Sequence, residues 1–388
     1  MTATNREPGD PTLVVGYAYP WDVIGDPAFV DRARALKISR IALAAAYHTT
    51  RAATPLHPRT RLVTARSAAL YRPVRPDAWA GRRLVPAAAE WVGDDDPFGH
   101  AAAQLTDAGI EVAAWIVLTH STRLGEAHPD LAVVNCFGEA YPYALCPQSL
   151  EVREYAATLA AEAVHDVPCS SVVLEACGQL GIMHGGHHEK TEGAYGTEAQ
   201  RLLSICCCIA CQDAWRAEGL GPDRVVASLR AEAPDPAVLN TLLEIRHRAT
   251  DVLRHAVIDA VRTAAPLEIA LHAQPDPWAT GALPGLTPTA ANDVDVVVSQ
   301  CWAIGEKSVE TVRDLVKALD GRALPASYIT VLPPMTEEAF GAHVAVLLDA
   351  GARELHLYHL GLAGPDRRHL LADAVRSALT RTQELRER

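Results

Sequence analysis

Short apolar runs rich in β-branched and aromatic residues alternate with longer stretches of helical periodicity along the whole chain. This is the pattern of an α/β protein built around a parallel sheet. The apolar runs are Leu13 to Tyr19, Arg40 to Tyr47, Glu111 to Thr119, Ser171 to Glu175, Glu268 to Ala273, Val294 to Cys301, Tyr328 to Leu332 and Glu354 to Tyr358. They number about eight, as a (β/α)8 TIM barrel requires. The pattern predicts one barrel domain over residues 12–388, preceded by a polar extension over 1–11.

The helical stretches carry starts and stops. Asp26-Pro27 opens a helix that reads Phe29, Val30, Ala33, Leu36; Thr336-Glu337-Glu338 opens one that stops at Gly351; Pro365 opens the last. Glu337 and Glu338 therefore read as dipole-complementing residues of a helix start rather than catalytic ones. Two connections are longer than a minimal barrel needs, 48–99 after the second strand and 177–223 after the fourth. Both follow strands, so both belong on the carboxyl-end face where barrel active sites are built.

Composition narrows the function. The 388 residues are 49% hydrophobic and 21% charged, an ordinary globular balance, with a net charge of -12. That charge argues against nucleic acid or an anionic membrane as partner and favours a neutral or cationic small molecule. Met1 to Pro11 lacks the basic start and apolar core of a secretory leader, and no uninterrupted apolar stretch is long enough to span a bilayer. A cytoplasmic location is expected, a homo-oligomer is left open, and without a glycine-rich phosphate fingerprint no nucleotide cofactor is expected.

Nine cysteines are an odd number, and four of them, Cys206, Cys207, Cys208 and Cys211, crowd into six positions, which is poor geometry for a disulfide framework. Cys206-x-Cys208-x-x-Cys211 offers three thiolates on a tight knuckle. Cys146, in the loop after the third strand, is the best candidate for a fourth ligand of a tetrahedral structural zinc. Small buried residues at a helix start are the other reading of the same cysteines.

Cys146-Pro147-Gln148-Ser149 followed by Val152-Arg153-Glu154, then a strand ending in Glu175, then Cys-x-Cys-x-x-Cys leading into a helix, resembles the middle of the family 42 β-galactosidases and related hypothetical glycosyl hydrolases. The resemblance covers about His128 to Trp215. It implies a (β/α)8 barrel of the retaining-glycosidase clan, a zinc held by Cys146, Cys206, Cys208 and Cys211, and Glu175 as general acid/base. The chain departs from that family in three places. Leu174 stands where the clan has Asn, about thirty residues separate Glu175 from Cys206, and the seventh-strand run Tyr328 to Met335 has no carboxylate for a nucleophile.

Glycoside hydrolysis generally needs two carboxyl groups. Glu175 is the first, because an acidic residue ending an apolar strand points into the barrel mouth. Asp276, in His272-Ala-Gln274-Pro-Asp276-Pro-Trp278, is the first choice for the second, since a neighbouring indole can serve as platform for a pyranose; a turn former between two prolines is the equal alternative. Asp22, Glu189 and Glu306 are the other carboxylates in reach of the mouth.

Substrate-binding candidates are the polar and aromatic groups at strand ends: Tyr19, Trp21 and Asp22; Tyr47 and His48; Trp115 and His120; His272 and Gln274; Gln300 and Trp302; Tyr358, near His356 and His359. Their recurrence points to a polyhydroxylated, carbohydrate-like ligand. The run His184-Gly-Gly-His187-His188-Glu189 reads first as a substrate-binding loop and second as a metal site. Three function classes follow: a glycoside hydrolase-like enzyme, a metal-dependent barrel hydrolase or lyase using His184, His187 and His188, and a barrel that binds sugar without cleaving it.

Overall fold

In the computed structural model, which describes residues 12–183, 190–191, 193–333 and 335–386, eight parallel strands close into a barrel. They are β1 (Leu13–Ala18), β2 (Arg40–Tyr47), β3 (Glu111–Val117), β4 (Ser171–Glu175), β5 (Glu268–His272), β6 (Val296–Gln300), β7 (Leu324–Thr330) and β8 (Glu354–Tyr358). The ring is sealed by β1, which pairs with β8 on one side (Leu13 opposite Glu354) and β2 on the other (Val15 opposite Arg40). Helices cover the outer face, so strands such as β4 and β6 are buried almost throughout and read as apolar runs without alternation. Among the described residues no helix is long and apolar enough to cross a membrane.

The expected helix starts are present. Asp26 accepts from Ala28 N through its carboxylate and from Phe29 N through its carbonyl, opening Phe29–Ala35, and it also pairs with Arg32. Thr336 is the N-cap of Glu337–Asp349, and Pro365–Arg367 is a 3-10 turn leading into Arg368–Arg386. The strand β7 begins at Leu324 rather than Tyr328, because Pro325 and Ser327, both buried, interrupt the apolar pattern without interrupting the strand. The fifth connection differs more. Its only helical piece among the described residues is the 3-10 turn Ala290–Asn292, since Pro275, Pro277, Pro284 and Pro288 remove amide donors and clash with helical geometry. The 29-residue helix Pro236–Ala264 precedes β5 and packs along Leu150–Val164.

The connections at the carboxyl end are structured. The segment after β2 holds the hairpin Thr50–Ala53 with Leu62–Ala65, and Ala69–Leu70 pairs antiparallel with the end of β2. The segment after β3 forms the hairpin Ala132–Val134 with Ala140–Leu145, which delivers Cys146. The segment after β4 carries the helices Thr197–Leu203 and Ile209–Ala217, with Cys206 to Cys208 between them. The barrel interior is unusually polar: Tyr17, His272, Ser299, Ser327, Glu354 and His356 are all at most 1% exposed.

Candidate active site

Period-two alternation fixes the site, because residues two apart on a strand share a face. Tyr17 and Tyr19 on and just after β1, and Glu354, His356 and Tyr358 on β8, follow that spacing. Tyr17 meets Trp115 of β3, His272 of β5, Tyr328 of β7 and His356 of β8, with ring centroids 4.8 to 5.8 Å apart. Above it, Tyr19, Tyr47 and Tyr358 surround Trp115 at 4.6 to 6.5 Å. Ala42, Ala44, Ala45 and Ala46 of β2 are buried, and their small side chains leave volume for larger ones around them.

Glu175 closes β4 inside this ring of aromatics and is 5% exposed. Its Oε2 accepts a 2.7 Å hydrogen bond from Trp115 Nε1 and lies 3.5 Å from His272 Nδ1. Burial pushes its carboxyl up to about 7, against the smaller lowering effect of the indole N–H. His272 is buried and held well below the ordinary imidazole range by loss of solvation, with His356 adding to the effect. Tyr17, Tyr47 and Tyr328 are raised well above the ordinary phenol range, also by burial. The groups around Glu175 are thus uncharged hydrogen-bonding rings, with the second interior carboxyl, Glu354, set further down the barrel beside His356.

Asp22 is the other buried carboxyl near the mouth. Its Oδ2 accepts from Tyr19 N at 2.8 Å and lies 3.8 Å from His359 Nδ1, and burial pushes it up to about 7. It presses on the backbone of Gly361, where a Cβ would lie 2.0 Å from Asp22 Oδ2. Burial pushes His359 down to about 3, so its ring is neutral.

Asp276 lies on the rim with its side chain 53% exposed; Oδ1 accepts from Trp278 N at 3.0 Å, and Oδ2 is 4.0 Å from Arg201. The first contact is that of a turn former. The Trp278 ring is faced by Arg201 and Arg246 at 5.9 and 5.7 Å, so cations occupy the indole that was expected to offer a sugar platform. Glu306 opens the helix Glu306–Leu319 and pairs with Arg313 at 2.8 Å.

The remaining candidates divide between mouth and periphery. His48 stacks on Tyr47 at 4.2 Å and on His120 at 4.5 Å, extending the aromatic ladder outward to Tyr143. Trp302, 38% exposed, stacks on Tyr358 at 5.4 Å. Trp21 is buried against Tyr19 and Tyr71. Gln274 joins Gly285 in a backbone bridge, and Gln300 is exposed at the end of β6. His184, His187, His188 and Glu189 lie outside the described residues. Tyr17, Glu354 and Tyr328 were not singled out as site residues from sequence; the alternation Glu354-x-His356-x-Tyr358 was the available signal.

The four expected metal ligands come together. Cys146, Cys206, Cys208 and Cys211 are buried with their sulfurs all within 4.8 Å, and Cys146 Sγ is 3.6 Å from both Cys208 Sγ and Cys211 Sγ. A tetrahedron with metal–sulfur bonds of about 2.3 Å has edges of about 3.8 Å, so the donor set fits zinc. Hydrogen bonds from Cys146, Cys206 and Cys211 hold Cys208 far below the usual thiol range, while the same contacts push Cys146 and Cys211 up, so the four sulfurs share one thiolate at Cys208 rather than each ionising alone. Cys207 instead donates to Ile205 O at 3.6 Å and is pushed up by burial.

No protein-family model matches the chain, and no curated protein matches its sequence. Solved structures do match. The glycoside hydrolase domain of PgaB (BpsB) from Bordetella bronchiseptica superposes with a TM-score of 0.60 at 17% identity, covering 93% of this chain and 98% of that one. The catalytic domain of β-amylase from Paenibacillus polymyxa gives 0.60 at 12% identity over 96% and 99%. The β-galactosidase of the psychrophilic Marinomonas ef1 gives 0.58 at 14% identity over 96% of this chain and 59% of that one. Likeness at these identities establishes that the chain shares the TIM-barrel fold of these enzymes.

Proposed function

We propose that the chain is a glycoside hydrolase acting on a small glycoside or oligosaccharide, with Glu175 as general acid/base. The observation that carries this reading is the setting of Glu175: a buried carboxyl at the carboxyl end of β4, hydrogen-bonded to Trp115 and pushed up to about 7. A group that titrates near neutral pH can both give and take a proton there. Trp302 and the partly exposed Tyr358 offer ring faces suited to a sugar at the mouth, above the buried Tyr19, Tyr47 and Trp115. The fold-sharing structures described as a glycoside hydrolase domain, a β-amylase and a β-galactosidase support the class, and the Cys146 to Cys211 pattern supports kinship with family 42.

Asp276, on the rim after β5, is the second carboxyl in this reading, and the buried Asp22 is its competitor. A panel of nitrophenyl glycosides tests the assignment. Wild-type protein turns over at least one of them, and Glu175→Gln loses roughly 10²- to 10⁴-fold in kcat/KM. Undiminished turnover by Glu175→Gln removes Glu175 from the role, and Asp276→Asn against Asp22→Asn decides the partner. One observation favours a barrel that only binds sugar: β7 has no carboxylate. Sugar binding without turnover of any glycoside would select that reading.

The four thiols are assigned to a structural zinc, because four sulfur ligands leave no open position for substrate or water. The ion would tie the loop after β3 to the loop after β4, beside the barrel mouth. Metal analysis of the purified chain is expected to give about one zinc that survives mild chelation. Zinc that leaves easily together with activity would instead favour a metal on the histidine run.

A further inference from the structure

A chain of buried polar groups runs through the barrel interior to Glu175 from the opposite, amino end. Glu354 and His356 of β8, Tyr17 of β1 and His272 of β5 are each at most 1% exposed. Glu354 Oε2 is 3.0 Å from His356 Nε2, His356 Nδ1 is 3.0 Å from the Tyr17 hydroxyl, and that hydroxyl is 2.7 Å from His272 Nε2. His272 Nδ1 has no hydrogen-bond partner and faces Glu175 Oε2 at 3.5 Å. No step so far described uses Tyr17, His356 or Glu354.

The direction of the chain follows from its anchor. Arg40, paired with Glu268 and Glu111, lies in the same electrostatic field as Glu354, which favours an accepting carboxylate there. His356 then carries its proton on Nε2, and a neutral imidazole has only one, so Nδ1 accepts from the Tyr17 hydroxyl. With its proton spent on His356, Tyr17 accepts from His272 Nε2. The remaining nitrogen of His272 is therefore a bare lone pair aimed at Glu175, which a protonated carboxyl satisfies and a carboxylate repels.

We propose that Glu354, His356 and Tyr17 are positioning residues that fix His272 as its Nε2–H tautomer and thereby keep Glu175 protonated, ready to donate. The proposal rests on the reading of Glu175 as general acid/base. The groups facing Glu175 are Trp115 from β3, His272 from β5, and Tyr17, Tyr47, Tyr328 and Tyr358 from β1, β2, β7 and β8. None of these brings a fixed positive charge, so hydrogen-bond direction and burial govern the proton on Glu175.

Nitrogen-15 NMR of the histidine-labelled full chain reads the tautomer directly, with His272 assigned by the resonance missing from His272→Gln. The Nε2–H form is expected near neutral pH. In Tyr17→Phe the link to His356 is cut, His272 is free to place its proton on Nδ1 and donate to Glu175, and the Glu175 titration midpoint falls by about one pH unit or more. The matching inflection of the pH–rate profile moves with it. An Nδ1–H tautomer in the unaltered chain, or an unmoved Glu175 midpoint in folded Tyr17→Phe, overturns the proposal. The tautomer measurement stands even where the variant fails to fold. Both readouts need no substrate, so a chain that cleaves no glycoside yet gives them upholds the hydrogen-bond assignment and overturns only the activity.

Discussion

The protonation of Glu175 depends on neighbours that lie far from it along the chain. Trp115 lies 60 positions away along the chain, and His272 lies on the next strand of the barrel after β4. Removing the indole donor while keeping a ring therefore has a signed effect. Trp115→Phe takes away the hydrogen bond that lowers the Glu175 pKa, so the Glu175 midpoint rises above about 7. A pH titration followed by carbon-13 NMR of labelled glutamate checks this. Asp276 shows the opposite case: Pro-Asp-Pro-Trp allowed both a catalytic and a turn-forming reading, and the contacts that weigh between them, to Trp278 N and Arg201, depend on how the loop folds. The indole beside it was expected to face a sugar and instead faces two guanidinium groups.

Secondary-structure elements were read well where local chemistry decides them. Strands with β-branched residues on both buried faces and helices opened by Asp-Pro or Thr-Glu-Glu carry their signals within a few residues. Reading was weaker where a strand includes Pro325 and Ser327, because pairing between β6 and β8 holds that segment extended whatever its own preference. Helix starts also give a stability test. Asp96 accepts from Gly99 N at 3.0 Å, capping Pro97–Asp107, and pairs with Arg72. Asp96→Ala is expected to cost about 1–2 kcal/mol in chemical denaturation, without changing the Glu175 titration.

At the scale of the whole molecule, two observables integrate the site with the fold. The first is the cysteine cluster. Cys146→Ser or Cys208→Ser is expected to drop bound zinc well below one per chain and to lower Tm, whereas Cys207→Ser leaves the zinc content unchanged; metal analysis beside thermal melts checks both. The second is the pH dependence of stability. Glu175 and Asp22 have folded pKa values of about 7 each, raised from 4.5 and 3.8. The folded state thus holds protons that the unfolded chain has already released. The stability these groups contribute is complete below about pH 4, falls as pH rises between the unfolded and folded values, and is lost above about pH 7. Glu175→Gln removes one of these liabilities, and its amide keeps a donor for His272 Nδ1. It should gain on the order of 1–3 kcal/mol over wild type at pH 8, with the gain vanishing near pH 4, as measured by denaturant titration.

By itself the sequence determined the barrel, through the count and spacing of apolar runs, and it named Glu175 and the four thiols, because each signal is local: a strand end, a knuckle spacing, a loop after a strand. Only the tertiary structure decided that the thiols meet at zinc-like separations, that Asp276 sits on the rim, and that Glu354, His356, Tyr17 and His272 line up beneath Glu175. Those relations join strands up to 339 positions apart. They exist because closing the ring brings β1 against β8 and turns alternate side chains into one shared interior.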